Sequence, residues 1–189
     1  MKKTCINKFF PIINNNKLLK YDDEGLWSIT LPDDADLISN IIINEIGVNN
    51  NIIDCNSGIG GNSISFAKYF KKVISIELDY NRYKILENNI NLFNLTNVNI
   101  INDDCIHYLN TIYDCYFFDP PWGGYGYKKI EKLSIKLSNL SLKDIINKIR
   151  INTNHKIIFK LPNNYNLTEF SSYDYKIYYI KNYLLIIIY

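Results

Sequence analysis

The 189-residue chain has only 8 glycines, 5 prolines, 4 cysteines and 2 histidines, and its net charge is +2. Each scarcity excludes something. Cys5, Cys55, Cys105 and Cys115 lie far apart with no C-x-x-C pair, which rules out a zinc ribbon and offers no disulfide framework. No cluster of ligating residues stands out, so no metal is expected. No apolar run reaches transmembrane length; the longest, Leu184 to Tyr189, is strand-length. The basic start Met1-Lys2-Lys3-Thr4 is followed by no small-residue cleavage site, so no signal peptide is expected. These absences point to an intracellular protein, cytoplasmic or nuclear, with no membrane partner. A balance of 21 basic and 19 acidic residues gives no strong electrostatic footprint for nucleic acid.

Isoleucine (34) and asparagine (28) are abundant, a bias that an AT-rich genome explains as readily as function does. With 47% hydrophobic residues the chain can bury the core of one domain, and disorder is excluded. From Asn51 onwards strand-length apolar runs alternate with amphipathic stretches, the signature of βα units on a parallel sheet. Strands are expected at 51–54, 73–77, 98–102, 114–119 and 156–161. Helices are expected at 62–70, 81–93 and 142–149, with a short one near 105–109. Upstream, Asp33 is placed to cap a helix carrying Leu37, Ile38, Ile41, Ile42 and Ile46, which Gly47 would close. Runs 173–180 and 183–189 are separated only by Lys181-Asn182 and must pair as an antiparallel hairpin. The result is a mixed α/β sheet of seven strands, mostly parallel, with an antiparallel C-terminal hairpin. Residues 1–30 read as an N-terminal extension of a domain spanning 31–189.

Asp54-Cys55-Asn56-Ser57-Gly58-Ile59-Gly60-Gly61-Asn62 sits where a strand feeds a helix. Glycines there let a ligand approach the backbone at the carboxyl ends of the strands. Glu77 ends the next strand, where a carboxylate can accept both hydroxyls of a ribose. Asp103-Asp104 ends the third, placed to meet an adenine amine. The loop lacks the G-x-G-x-x-G spacing of dinucleotide sites, and Asp54 would repel a pyrophosphate while accepting an amino group. S-adenosylmethionine therefore fits better than NAD.

Asp119-Pro120-Pro121-Trp122-Gly123-Gly124 follows the fourth strand. Methyl transfer to an exocyclic amine needs the nitrogen oriented towards the donor, because its lone pair is delocalised into the base. Asp119 and the Pro120 carbonyl can accept the amine hydrogens, and Trp122 offers a face for stacking. A cationic base such as 7-methylguanine would add a cation–π contribution of about 0.5–2 kcal/mol.

These motifs resemble the trimethylguanosine synthase family, the RNA cap guanine-N2 methyltransferases of the class I, Rossmann-like methyltransferase fold. The matching pieces are Glu24-Gly25-Leu26-Trp27-Ser28-Ile29-Thr30, the Asp54–Asn62 loop, Val73–Asp79, Pro120–Gly124 and Leu161-Pro162-Asn163-Asn164. The resemblance implies that Asp54, Gly58, Gly60, Asn62, Glu77 and Asp104 hold S-adenosylmethionine, with Ser28 and Thr30 lining the site. It implies that Trp122 stacks on 7-methylguanine, and that Asn164 lies on the substrate side. Trp27 either packs on the adenosine or anchors the extension. Asn163 stands where the family carries a basic residue near the cap triphosphate; Lys160, Lys128, Lys129, Lys17 or Lys20 could supply the charge. The expected activity is transfer of one or two methyl groups to N2 of 7-methylguanosine caps on RNA, by a monomer and without metal. Two rivals stand beside it: an amino-methyltransferase acting on adenine N6 or guanine N2 of structural RNA, and a catalytically silent cap-binding module.

Overall fold

The alternation of apolar runs and amphipathic stretches becomes strands and helices at nearly the expected positions. The computed structural model describes residues 6–14, 16–48, 50–111, 113–151 and 155–189; Cys5 and the basic start lie outside them. The chain divides into two compact units, residues 1–103 and 104–189.

In the first unit β1 (Asn51–Asp54), β2 (Lys72–Glu77) and β3 (Val98–Asn102) are parallel, with β2 paired to both neighbours. Parallel pairing demands crossovers. Helix α3 (Gly61–Tyr69) links β1 to β2, and α4 (Tyr80–Leu92) links β2 to β3. Ahead of them stand α1 (Asp23–Ser28) and α2 (Pro32–Ile46). The expected Asp33 cap is corrected: Leu31 is the N-cap residue, without a side-chain bond, and Pro32 opens the helix. Proline suits that first position because its φ is preset and its missing N–H would have no partner there. Gly47 closes α2 as expected, at φ +86°. The N-terminal extension is part of the core. Phe10 and Leu19 are buried with Ile59 of the glycine loop, Ile64 of α3, and Leu86 and Ile90 of α4.

The second unit opens with β4 (Cys115–Phe118), then the two-residue antiparallel ladder of β5 (Lys136–Leu137) and β6 (Leu140–Ser141). Helix α5 (Leu142–Arg150) begins in a capping box between Ser141 and Asp144 and buries Leu142, Ile145, Ile146 and Ile149. Strand β7 (Lys156–Pro162) is parallel to β4. The expected hairpin is present as β8 (Tyr175–Ile180) and β9 (Tyr183–Ile188). The last strand is the inner one: β9 pairs antiparallel with β7 on one side and β8 on the other, leaving β8 at the edge. The burial patterns explain the choice. Every residue of β9 is buried, as an inner strand requires, whereas five of the six residues of β8 keep some exposure. Phe118, Phe159 and Phe170 stack in series beneath, with ring centroids 5.1 and 5.6 Å apart.

Seven strands, mostly parallel and ending in antiparallel ones, with helical crossovers, make this a Rossmann-like α/β fold. Among the described residues no helix is long and apolar enough to cross a membrane, and no group of three or more His, Cys, Asp or Glu could hold a metal. Cys55, Cys105 and Cys115 are buried and form no disulfide.

Candidate active site

The glycine loop is shaped by two backbone constraints. Gly60 caps α3 in the left-handed region at φ +105°, which side chains with a Cβ rarely adopt. A Cβ on Gly61 would lie 2.7 Å from the Thr30 carbonyl oxygen, so only glycine lets the extension pass this close. Asp54, fully buried at the tip of β1, accepts from the Ser63 hydroxyl at 2.6 Å, and Ser75 donates to Ser63 at 2.8 Å. That chain of hydroxyls fixes the carboxylate from two further elements. Glu77, at the tip of β2, accepts from the Gly58 N–H at 2.8 Å and the Asp79 N–H at 2.9 Å, one on each oxygen. Each oxygen has a second lone pair, so the carboxylate can still accept two ribose hydroxyls. Burial raises the Glu77 pKa above its ordinary 4.5, opposed by those two N–H groups and by Arg82.

The loop also carries a test of what it could hold. Asn56 Oδ1 is buried and has no hydrogen-bond partner, and the space around the Cβ position of Gly58 is open. A buried acceptor of this kind calls for a donor, and it sits two residues from a buried carboxylate. The α-ammonium of a methionine moiety supplies such donors, and the diol of an adenosine matches Glu77. The residues fit S-adenosylmethionine.

Asn89 of α4 ties this loop to the extension. Its buried amide donates to the Lys20 and Ile59 carbonyls, each at 3.0 Å, and accepts from the Lys20 N–H at 3.0 Å. Ser28 is exposed, with its hydroxyl on the Glu24 carbonyl at 2.9 Å. Thr30 is buried against Gly61, Asn62 is buried in the first turn of α3, and Trp27 is 45% exposed.

In the second unit, Pro120 is buried and Trp122 half-buried directly after β4. The Trp122 indole N–H donates to the Lys160 carbonyl at 3.3 Å, and its ring packs edge-on to Tyr127 at 5.3 Å. Lys160, one of the five lysines that could serve a triphosphate, is buried beside this loop. Its ammonium is paired with Asp119 at 2.7 Å, with the two side chains 8% and 14% exposed. The same ammonium lies 5.1 Å from the Trp122 ring centroid and 5.2 Å from that of Tyr183. Its charge is committed to the Asp119–Trp122 loop rather than to a triphosphate. A lysine flanked on both sides by apolar residues, Ile-Ile-Phe-Lys-Leu-Pro, is the signal the sequence carries. Asn164 donates to the Tyr127 and Ile130 carbonyls at 2.8 and 2.6 Å, so its amide fastens the loop after Trp122. Asp104 caps the turn at 105–108, accepting from the Ile106 N–H at 3.1 Å, and also accepts from the Ser138 hydroxyl.

Parallel βα units, a glycine loop after β1 and an acid closing β2 define the methyltransferase class of this fold. An rRNA methylase from Streptococcus thermophilus is similar in structure, with a TM-score of 0.58 at 13% identity over 85% of this chain and 97% of that one. The family profile of the RNA cap guanine-N2 methyltransferases matches residues 49–187, and the chain belongs to that family. It is 36% identical over 193 residues to uncharacterized protein L320 of Acanthamoeba polyphaga mimivirus, covering 85% of this chain and 74% of that protein. It is 29% identical over 175 residues to trimethylguanosine synthase of Schizosaccharomyces pombe, covering 85% and 72%. Family and fold together imply S-adenosylmethionine as methyl donor.

Proposed function

We propose that this chain methylates the exocyclic N2 of 7-methylguanosine caps on RNA. The observation that carries the reading is the Trp122 indole, fixed by its N–H and by Tyr127, three residues from a carboxylate held by a buried lysine. S-adenosylmethionine, when bound, supplies an electrophilic methyl group on a sulfonium. Asp54, Asn56 and Gly58 with Glu77 would hold it, and Phe10, Leu19 and Lys20 of the N-terminal segment steady the same loop, Lys20 through Asn89.

The base stacks on the indole face opposite the Lys160 ammonium. Two cations flanking one ring would repel, since 7-methylguanine is itself charged. The Asp119 carboxylate, 2.7 Å from the ammonium, neutralises one of them. Asp119 and the Pro120 carbonyl accept hydrogens of the N2 amine and orient its lone pair. As the N–C bond forms the donor's S–C bond would break to leave a neutral thioether, the Asp119 carboxylate offsets the positive charge on nitrogen, and the N2 proton is lost to solvent. Catalysis rests on positioning, with no covalent protein intermediate.

Trp122→Ala tests the stacking role. Turnover of m7GTP should fall at least a hundredfold while S-adenosylmethionine still binds in calorimetry with near-parent affinity. Near-normal turnover by this variant would remove the basis of the cap reading.

A further inference from the structure

Two stretches of this chain carry an excess of lysine: residues 1–20, with five and no acid, and residues 123–140. Residues 123–140 hold Lys128, Lys129, Lys132 and Lys136 against the single acid Glu131. The segment begins directly after Trp122. Its four lysines are exposed, and Tyr125 is 82% exposed. Between Lys132 and the short strand β5 the burial alternates: Leu133, Ile135 and Leu137 are buried, Lys132, Ser134 and Lys136 exposed. Alternation with period two puts Lys132 and Lys136 on one outward face, roughly 13 Å apart at about 3.3 Å per residue.

A solvated loop needs no anchoring, but this one is anchored. The Leu133 N–H donates to the Asn164 carbonyl at 2.9 Å, and the Asn166 N–H to the Leu133 carbonyl at 2.8 Å. Asn164 fastens the turn at 127–130, and the β5–β6 ladder closes the far end. Buried Leu133, Ile135 and Leu137 hold Lys132 and Lys136 outward, continuing from the exposed Lys128 and Lys129.

We propose that this row is a track for the sugar–phosphate backbone of single-stranded RNA leading away from the cap. Lys128 and Lys129 stand nearest Trp122 in the chain and take the charge of the triphosphate, in place of the family's basic residue at Asn163. Lys132 and Lys136 contact phosphates of the first transcribed nucleotides, and Tyr125 provides a stacking surface for a base. The inference rests on the cap reading for its register but concerns the RNA body, which that reading leaves open.

The test compares m7GTP with an m7G-capped ten-nucleotide RNA, in the parent and in Lys132→Ala/Lys136→Ala. The variant should raise the ratio of KM for capped RNA to KM for m7GTP at least fivefold. The dependence of log KM for capped RNA on log salt should become shallower by about 1.4, or 0.7 per lost phosphate contact. Lys132→Arg/Lys136→Arg should keep the parent ratio, which separates charge from folding. An unchanged ratio and salt slope in the alanine variant would overturn the proposal. Affinity for an uncapped ten-nucleotide RNA, read by fluorescence anisotropy, distinguishes the two readings. If the parent fails to methylate m7GTP, the cap reading falls, while weaker RNA binding by the alanine variant still supports the track and equal binding overturns it.

Discussion

At the residue scale the most informative pair is Lys160 and Asp119. Bringing two charges together where they are 8% and 14% exposed costs desolvation that only their mutual attraction offsets. Lys160→Met should therefore lower unfolding stability by roughly 3 kcal/mol, because a largely buried carboxylate loses its cation. Adding Asp119→Asn to Lys160→Met should recover most of that loss. Urea denaturation of the two singles and the double measures it, and costs that simply add would show the pair to be uncoupled. Glu77 gives a second residue-scale outcome. Its raised pKa means that the carboxylate begins to take up protons at a pH above the ordinary 4.5. A ribose diol donates to the charged form, so KM for S-adenosylmethionine should climb as pH falls through that raised value. Glu77→Gln should show a KM raised at least tenfold and flat with pH, since its amide NH2 would face one of the two N–H groups that the carboxylate oxygens accept separately. A variant KM that still climbed with falling pH would assign the titration to another group.

At the element scale, α4 does more than cross between strands. Asn89 replaces three water contacts of the Lys20 and Ile59 backbone with protein ones, each worth about 1 kcal/mol. Asn89→Ala should cost roughly 2–4 kcal/mol and expose the Lys20 amide to rapid hydrogen exchange, with KM for S-adenosylmethionine raised several-fold. Protection of that amide at the parent level would show that the extension is held elsewhere. Elements of this kind were legible only in part. Strands β1 and β3 fall on the expected residues because apolar runs there are bounded by polar ones. The hairpin was legible from its two-residue connection, but its insertion was not: sequence spacing fixes which strands are joined, whereas the neighbour of β7 is decided by which strand buries both faces. The start of α2 shifted because proline's preset φ outweighed an aspartate cap. Lys160 and Asn89 were illegible because their partners, Asp119 and Lys20, are 41 and 69 residues away in the chain, and a polar residue shows its contacts only once the strands and helices are placed.

At the scale of the whole molecule, composition and chemistry converge on two short loops. Five of the 8 glycines lie at 58, 60, 61, 123 and 124, and four lysines against one acid follow the second loop. A chain with so little net charge gains little from general attraction to RNA, so the proposed reading assigns recognition to a base platform and a short row of lysines. That arrangement suits a substrate with one distinctive charged base at its end. The most direct test is competition among substrates with cofactor in excess: equal amounts of m7GTP, GTP and an adenine-containing RNA, with products resolved by mass and the methylated nitrogen assigned by NMR. One or two methyl groups on N2 of m7GTP, with GTP and adenine left largely unmodified, is the expected result. Methylation of GTP as readily as m7GTP, or of adenine N6, would contradict the assignment of Trp122 to a cationic cap.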